Sequence, residues 1–235
     1  MSGQHAHPFL PYRPERIPIE EGIKRGERLL AHLETRRSVR FFSPDPVPRH
    51  AIEVAVRIAN TAPSGANQQP WTFVATSDPA VKHRIRIAAE DEERAFYQRE
   101  LPDWHGALAA LETDEHKPFL DVAPWIVVVF AQKHTPMPDG TLRKNYYVNE
   151  GTGIACGLFI TALHTMGLAT LTHTPNPMAF LTEILERPPT ERPYIMFPVG
   201  YPAPDAEVPD LRRKPLPDAL VLYPPGEAAT SVPSS

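Results

Sequence analysis

Between residues 49 and 62 the apolar side chains Ile52, Ala55, Val56 and Ala59 fall at i, i+3, i+4 and i+7. With Pro48 ahead and Pro63 and Gly65 behind, that spacing predicts a helix with one apolar face. Earlier, "PIEEGIKRGERLLAHLETR" sets Ile23, Leu29, Leu30 and Leu33 loosely at helical spacing and predicts a first helix ending near Glu34. "WTFVAT" (Trp71 to Thr76) is a short β-rich run. "PAVKHRIRIAAEDEERAFYQREL" reads as a long amphipathic helix whose charged second half is expected to be solvent-facing or mobile. "PWIVVVFAQ" is continuously apolar and β-branched, which suits a strand covered on both faces. Tyr147 to Met166 reads as a buried helix closed by Gly167. "LATLTHT" and "YIMFPVGYP" read as two further strands, with the short helix "PMAFLTEILE" between them. Two helices precede any strand, so the pattern favours an α+β fold, a central β-sheet flanked by helices, over a doubly wound one.

Composition adds the chain's ends and removes several functions. Many of the 29 prolines cluster in "HPFLPYRPERIP" and after Pro198, which predicts an extended arm at residues 1–20, a single domain at 21–201 and a second arm or tail at 202–235. A net charge of -4 leaves no broad basic face, so nucleic acid is not an expected partner. No apolar run approaches the ~20 residues of a membrane span, and "MSGQHAHPF" lacks the features of a leader, which predicts a soluble, cytoplasmic protein. Cys156, the single cysteine, sits among apolar neighbours and reads as an inert buried thiol. His5, His7, His164 and His173 lack ligand spacing, so no metal is expected. No Ser/His/Asp set stands out either, and redox chemistry would have to come from a bound cofactor.

One local feature resists the acidic balance: "TRRSVRFF" places Arg36, Arg37 and Arg40 within five residues. Cations are favoured at a helix exit, so a capped helix end is one reading. The other is an anion held between guanidiniums. Neither a GxGxxG nor a GxxxxGK[ST] loop is present, so a phosphate here would be held by side chains.

In order along the chain, "RRSVRFF", "TAPSGANQQPWTFVA", "HKPFLDVAPWIVVVF", "LTHTP" and "PVGYPAPDAEVPDLRRKPL" together resemble the iodotyrosine deiodinase branch of the nitroreductase superfamily. The resemblance implies a nitroreductase-like fold, FMN as cofactor, no metal, and an intertwined homodimer with exchanged terminal arms. It implies that Arg36, Arg37, Ser38, Val39 and Arg40 wrap the FMN phosphate and flavin edge, with Arg213 arriving from the tail; a phosphate dianion suits bidentate guanidiniums. Ser64 would contact the ring system. Thr172, His173 and Thr174 would lie along the isoalloxazine, with the Thr174 hydroxyl near N5 as the catalytic group that opens one-electron steps. His173 departs from an all-threonine pattern.

For the substrate, the resemblance implies that Glu93 takes the ammonium of a halotyrosine, Lys117 and the Tyr97 hydroxyl take its carboxylate, and the Ala66 N–H meets the phenolate oxygen. The implied activity is FMN-dependent reductive dehalogenation of halogenated tyrosines, in single-electron steps from reduced flavin supplied by an NAD(P)H-linked reductase or another donor. Two alternatives stay open on the sequence: a nitroreductase acting on nitroaromatics or quinones, and a non-catalytic flavin-binding protein.

Overall fold

A computed structural model describes His7, residues 9–98 and residues 110–223. Parts of the arms, the end of the helix expected to reach Leu101 and most of the connection containing Trp104 lie outside the described residues. In chain order the elements are α1 (Ile19–Glu34), α2 (Arg49–Ala59), a 3-10 turn (Gly65–Asn67), β1 (Trp71–Thr76), α3 (Pro79–Tyr97), α4 (Phe119–Val122), β2 (Trp125–Gln132), β3 (His134–Pro136), β4 (Leu142–Lys144), α5 (Val148–Thr165), β5 (Ala169–Thr170), α6 (Phe180–Ile184), β6 (Glu191–Gly200) and α7 (Leu216–Ala219). Strands β1, β2, β6 and β5 form, in that order, one sheet in which each neighbouring pair is antiparallel. β3 and β4 make a separate hairpin.

The sheet is covered on both faces, and β2 shows why its sequence is apolar at every position. Val127 and Val129 point into one core with Phe159 and Leu163 of α5 and Ile52, Ala55 and Ala59 of α2. Ile126, Val128 and Phe130 point into a second core with Ile85 and Ala89 of α3, Leu120 of α4 and Leu181 of α6. A strand with alternate side chains in two cores has no polar positions to offer. Its partner β6 contains Pro193, which cannot donate to the ladder; the register shifts between Val129 and Phe130, so the strand accommodates the proline at an irregularity.

α3 carries the residues expected to meet substrate, and its start is fixed by Asp78, whose carboxylate accepts from the N–H groups of Ala80 and Val81 at 2.8 and 3.0 Å. Asp78→Ala is expected to cost about 1 kcal/mol. For a chain of this size that corresponds to roughly 2–4 °C in melting temperature, read by thermal denaturation. The expectation that the charged half of α3 faces solvent holds for Asp91 and Arg94 but not for Glu90, which is buried. The helical period carries the inward side of α3 past Ile85 and Ala89 to Glu90 and Glu93, so two of the carboxylates in "EDEER" turn inward.

Candidate active site

After α1 the chain straightens and runs beside the edge strand β5, with Ser38 bridged to Thr170 and the Val39 N–H donated to the Thr170 carbonyl at 3.2 Å. Extended backbone alternates its side chains, so Val39 is buried while Ser38 is exposed and Arg40 half-buried. The same alternation in the segment after β5 buries Leu171 and His173 and exposes Thr172 and Thr174. Two neighbouring extended segments therefore present Ser38, Arg40, Thr172 and Thr174 to common space. A cavity of about 350 Å³ is lined there by Arg36, Arg37, Ser38, Arg40, Thr172, Arg212 and Arg213, among others.

The tail closes this cavity. Arg37 donates to the Pro209 carbonyl, and Arg213 donates to the carbonyls of Glu34 and Arg36 at 3.1 and 2.8 Å, holding the end of α1. Burial, with Arg213 and Arg37 adding repulsion, holds the Arg36 pKa below the usual arginine value; burial does the same to Arg40. Among the described residues no carboxylate pairs with Arg36 or Arg40. Five arginines gathered around one cavity fit a phosphate group, which would remove the repulsion and accept from the guanidiniums.

Arg40, Leu171 and Thr172 also line a second cavity of about 400 Å³, so the two spaces adjoin. Glu93, Tyr97, Lys117, His173 and Thr174 are among its other polar lining residues. Lys117 Nζ stands 3.6 Å from Glu93 Oε2, with the two side chains 3% and 15% exposed. Lys117 also donates to Thr113 Oγ1 at 3.2 Å and to the Asp114 carbonyl, and sits 5.8 Å from the centre of the Tyr97 ring. The Tyr97 hydroxyl donates to the Thr113 carbonyl at 2.9 Å. Burial raises the Glu93 pKa and lowers that of Lys117, each against the pull of the other. The pair is thus a buried ion pair, neutral in sum, beside an aromatic-sized space.

Ser64 and Ala66 line neither of these cavities. They lie in the turn between α2 and β1, where Ser64 Oγ accepts from the Gln69 N–H at 2.9 Å and packs against Gly151 of α5. Ala66, Asn67 and Gln69 all have φ near +50°, a left-handed conformation that costs a non-glycine residue roughly 1–2 kcal/mol. The turn lies against Tyr146 and Tyr147, which leave no room for a side chain at Gly65.

His173 is the residue whose setting the sequence least foretold. Its N–H donates to the Met196 carbonyl at 2.8 Å and its carbonyl accepts from the Met196 N–H at 3.0 Å. Its ring meets Phe119 edge-on at 5.7 Å, and its buried Nε2 has no partner among the described residues. Burial, then the Lys117 and Arg40 charges, pull its pKa from 6.5 down to about 3. The unfolded chain therefore takes up a proton near pH 6.5 that the folded chain refuses until near pH 3. Stability then falls with pH across that window, by up to about 1.4 kcal/mol per pH unit. His173→Leu is expected to flatten this dependence, seen as a smaller loss of melting temperature between about pH 7 and pH 5 than the parent shows.

Phe119, Thr113, Asn176 and Arg212 line the cavities without having been singled out in the sequence. Arg212 was legible as the neighbour of Arg213; the others depend on loop geometry. Cys156 is buried, which pushes its thiol up to about 12, as the apolar neighbours predicted. Among the described residues no helix is long and apolar enough to cross a membrane.

The sheet, the edge-strand arginine cluster and the adjoining cavity place the protein in a known class: the chain belongs to the nitroreductase family, whose model matches residues 33–201. Within that family it falls in the iodotyrosine deiodinase branch. An iodotyrosine deiodinase of Haliscomenobacter hydrossis is 49% identical over 216 residues, 92% of this chain and 97% of the relative. One from Danio rerio is 44% identical over 217 residues, 92% of this chain and 74% of its own length. A crystal structure of oxidized iodotyrosine deiodinase bound to FMN and 3-iodo-L-tyrosine superposes with a TM-score of 0.73 at 29% identity, covering 83% of this chain and 98% of that one.

Proposed function

We propose that this chain binds FMN and removes halogen reductively from halogenated tyrosines, giving tyrosine and halide. The observation that carries the reading is the buried Glu93–Lys117 ion pair opening on the space next to the arginine cluster. A zwitterion inserts into such a pair without leaving any charge unmatched: its ammonium goes to Glu93 and its carboxylate to Lys117, with Tyr97 able to turn its hydroxyl from Thr113 to the same carboxylate. Relatives named iodotyrosine deiodinase at 41–49% identity support the same substrate class.

Arg36, Arg37, Ser38, Arg40 and Arg213 would hold the FMN phosphate and edge, with Val39 and its backbone bond to Thr170 keeping that segment in place. When bound and reduced, FMN supplies the two electrons that, with one proton, replace a carbon–halogen bond by carbon–hydrogen and release halide. Thr172 and Thr174 expose their hydroxyls to the cavity, and Thr174 is the proposed donor to the cofactor ring. Ser64 and Ala66 require a second copy of the chain, whose left-handed turn would close the ring end of the cavity and offer the Ala66 N–H to the phenolate oxygen. The proposed assembly is a homodimer with exchanged arms, fed by an NAD(P)H-linked reductase. Steady-state turnover tests the substrate class. 3-Iodotyramine and 3-(4-hydroxy-3-iodophenyl)propionate each keep one charge, and each is expected to lose about tenfold or more in kcat/KM against 3-iodotyrosine. Equal turnover of all three would instead favour a reductase of nitroaromatics or quinones.

A further inference from the structure

Lys117 follows the polar run Thr113 to His116, and the group that fixes its backbone is on α3. Glu90 Oε1 accepts from the Lys117 backbone N–H at 2.7 Å and from Arg86 Nε at 2.7 Å. Arg86 in turn donates through Nη1 to Asp121 Oδ2 at 2.8 Å, and His83 Nδ1 lies 3.1 Å from the same oxygen. Lys82 donates to the carbonyls of Asp121 and Ala123 at 2.9 and 2.7 Å. One face of α3 thus clamps residues 117–123, while Glu93 and Tyr97, three and seven residues past Glu90, look into the cavity. Glu90 is 7% and Lys117 2% exposed, so water competes little for this bond.

We propose that Glu90 is a positioning residue for substrate selection: its bond to the Lys117 backbone sets the reach of the Lys117 ammonium relative to Glu93 on the same helix, and so tunes the site to an α-amino acid. The inference rests on the halotyrosine reading above. A helix is rigid along its length, so a carboxylate one turn before Glu93 gauges the spacing between the two substrate-binding charges. A carboxylate that receives a backbone N–H also holds it more firmly than a neutral acceptor would. Burial pushes the Glu90 pKa up, but the Arg86 and Lys117 bonds outweigh it and keep the group below the usual glutamate value.

The test is a set of binding titrations on FMN-loaded protein, following the flavin absorbance, with 3-iodotyrosine and with 2-iodophenol, which has no amino-acid end. Glu90→Ala is expected to weaken 3-iodotyrosine by about tenfold and to lower its preference over 2-iodophenol by nearly the same factor. Glu90→Gln keeps an oxygen for the Lys117 N–H and is expected to recover most of the loss. Because Glu90 acts through Lys117, the Glu90→Ala/Lys117→Ala double variant should bind 3-iodotyrosine no more weakly than Lys117→Ala alone. Additive losses, an unchanged preference, or an equal loss for both ligands would overturn the proposal. If Glu90→Ala does not fold, Arg86→Met carries the test: releasing the Glu90 carboxylate should lower the preference by about threefold, and no change would overturn it. Should Lys117→Ala itself leave 3-iodotyrosine affinity intact, the substrate reading fails; should Lys117→Ala weaken it and Glu90→Ala not, only the role of Glu90 fails.

Discussion

Lys117→Ala protein is expected to keep its FMN and to bind 3-iodotyrosine roughly 30-fold to several thousand-fold more weakly than the parent, the range that 2–5 kcal/mol spans. The size follows from burial. Lys117 is 2% exposed and Glu93 is its ion-pair partner. Truncation removes the cation that would meet the substrate carboxylate and also leaves Glu93 without a counter-charge in a setting that already raises its pKa. Neither loss can be made good by water in so enclosed a site. Titration of the oxidised holoprotein, followed by flavin absorbance, gives the dissociation constant directly. An unchanged constant with full FMN content would remove Lys117 from the substrate site.

The second large effect is at the other cavity. Arg36→Ala/Arg40→Ala protein is expected to purify largely without FMN. Each charged hydrogen bond lost costs about 1.5–3 kcal/mol, so the pair should raise the FMN dissociation constant by roughly two to four orders of magnitude. The apoprotein is a control with the opposite sign. Arg36 is repelled by Arg213 and Arg37, so its removal relieves strain in the empty protein, and the melting temperature of the apo variant should not fall below that of the apo parent. Adding FMN should then raise the parent's melting temperature and leave the variant's nearly unmoved. Loss of stability in both forms would mean that the arginines serve the fold and not a phosphate.

How much of this could be read from the chain depended on how local its cause was. α2, β1, β2 and α5 follow their periodicity closely, because each buries a complete face or pair of faces. β5 is shorter than "LATLTHT" suggested: only Ala169 and Thr170 join the ladder, and residues 171–174 continue as an edge segment tied by the His173–Met196 bridge. That shortening frees Thr172 and Thr174 for the cavity. The β3–β4 hairpin escaped notice, although "PDG" at 138–140 is a turn signal and Gly140 has φ +82°. Its strands are three residues long and mostly exposed, so no hydrophobic alternation announces them.

The site was legible in its residue types and less so in its wiring. The arginine cluster lines one cavity, and Glu93, Tyr97 and Lys117 line the one adjoining it. Sequence spacing could not separate Glu90 from its acidic neighbours, because the distinction depends on where the 117–123 segment packs. That Ser64 and Ala66 line neither cavity was equally beyond reach, since a linear pattern does not say how the turn between α2 and β1 lies relative to the arginine cluster.

Anaerobic titration of the dithionite-reduced holoprotein with 3-iodotyrosine tests the account most directly, with flavin absorbance, iodide and tyrosine followed together. Each equivalent of substrate is expected to reoxidise one equivalent of flavin and to yield one iodide and one tyrosine. Flavin that stays reduced in excess 3-iodotyrosine, with no iodide in solution, would contradict it.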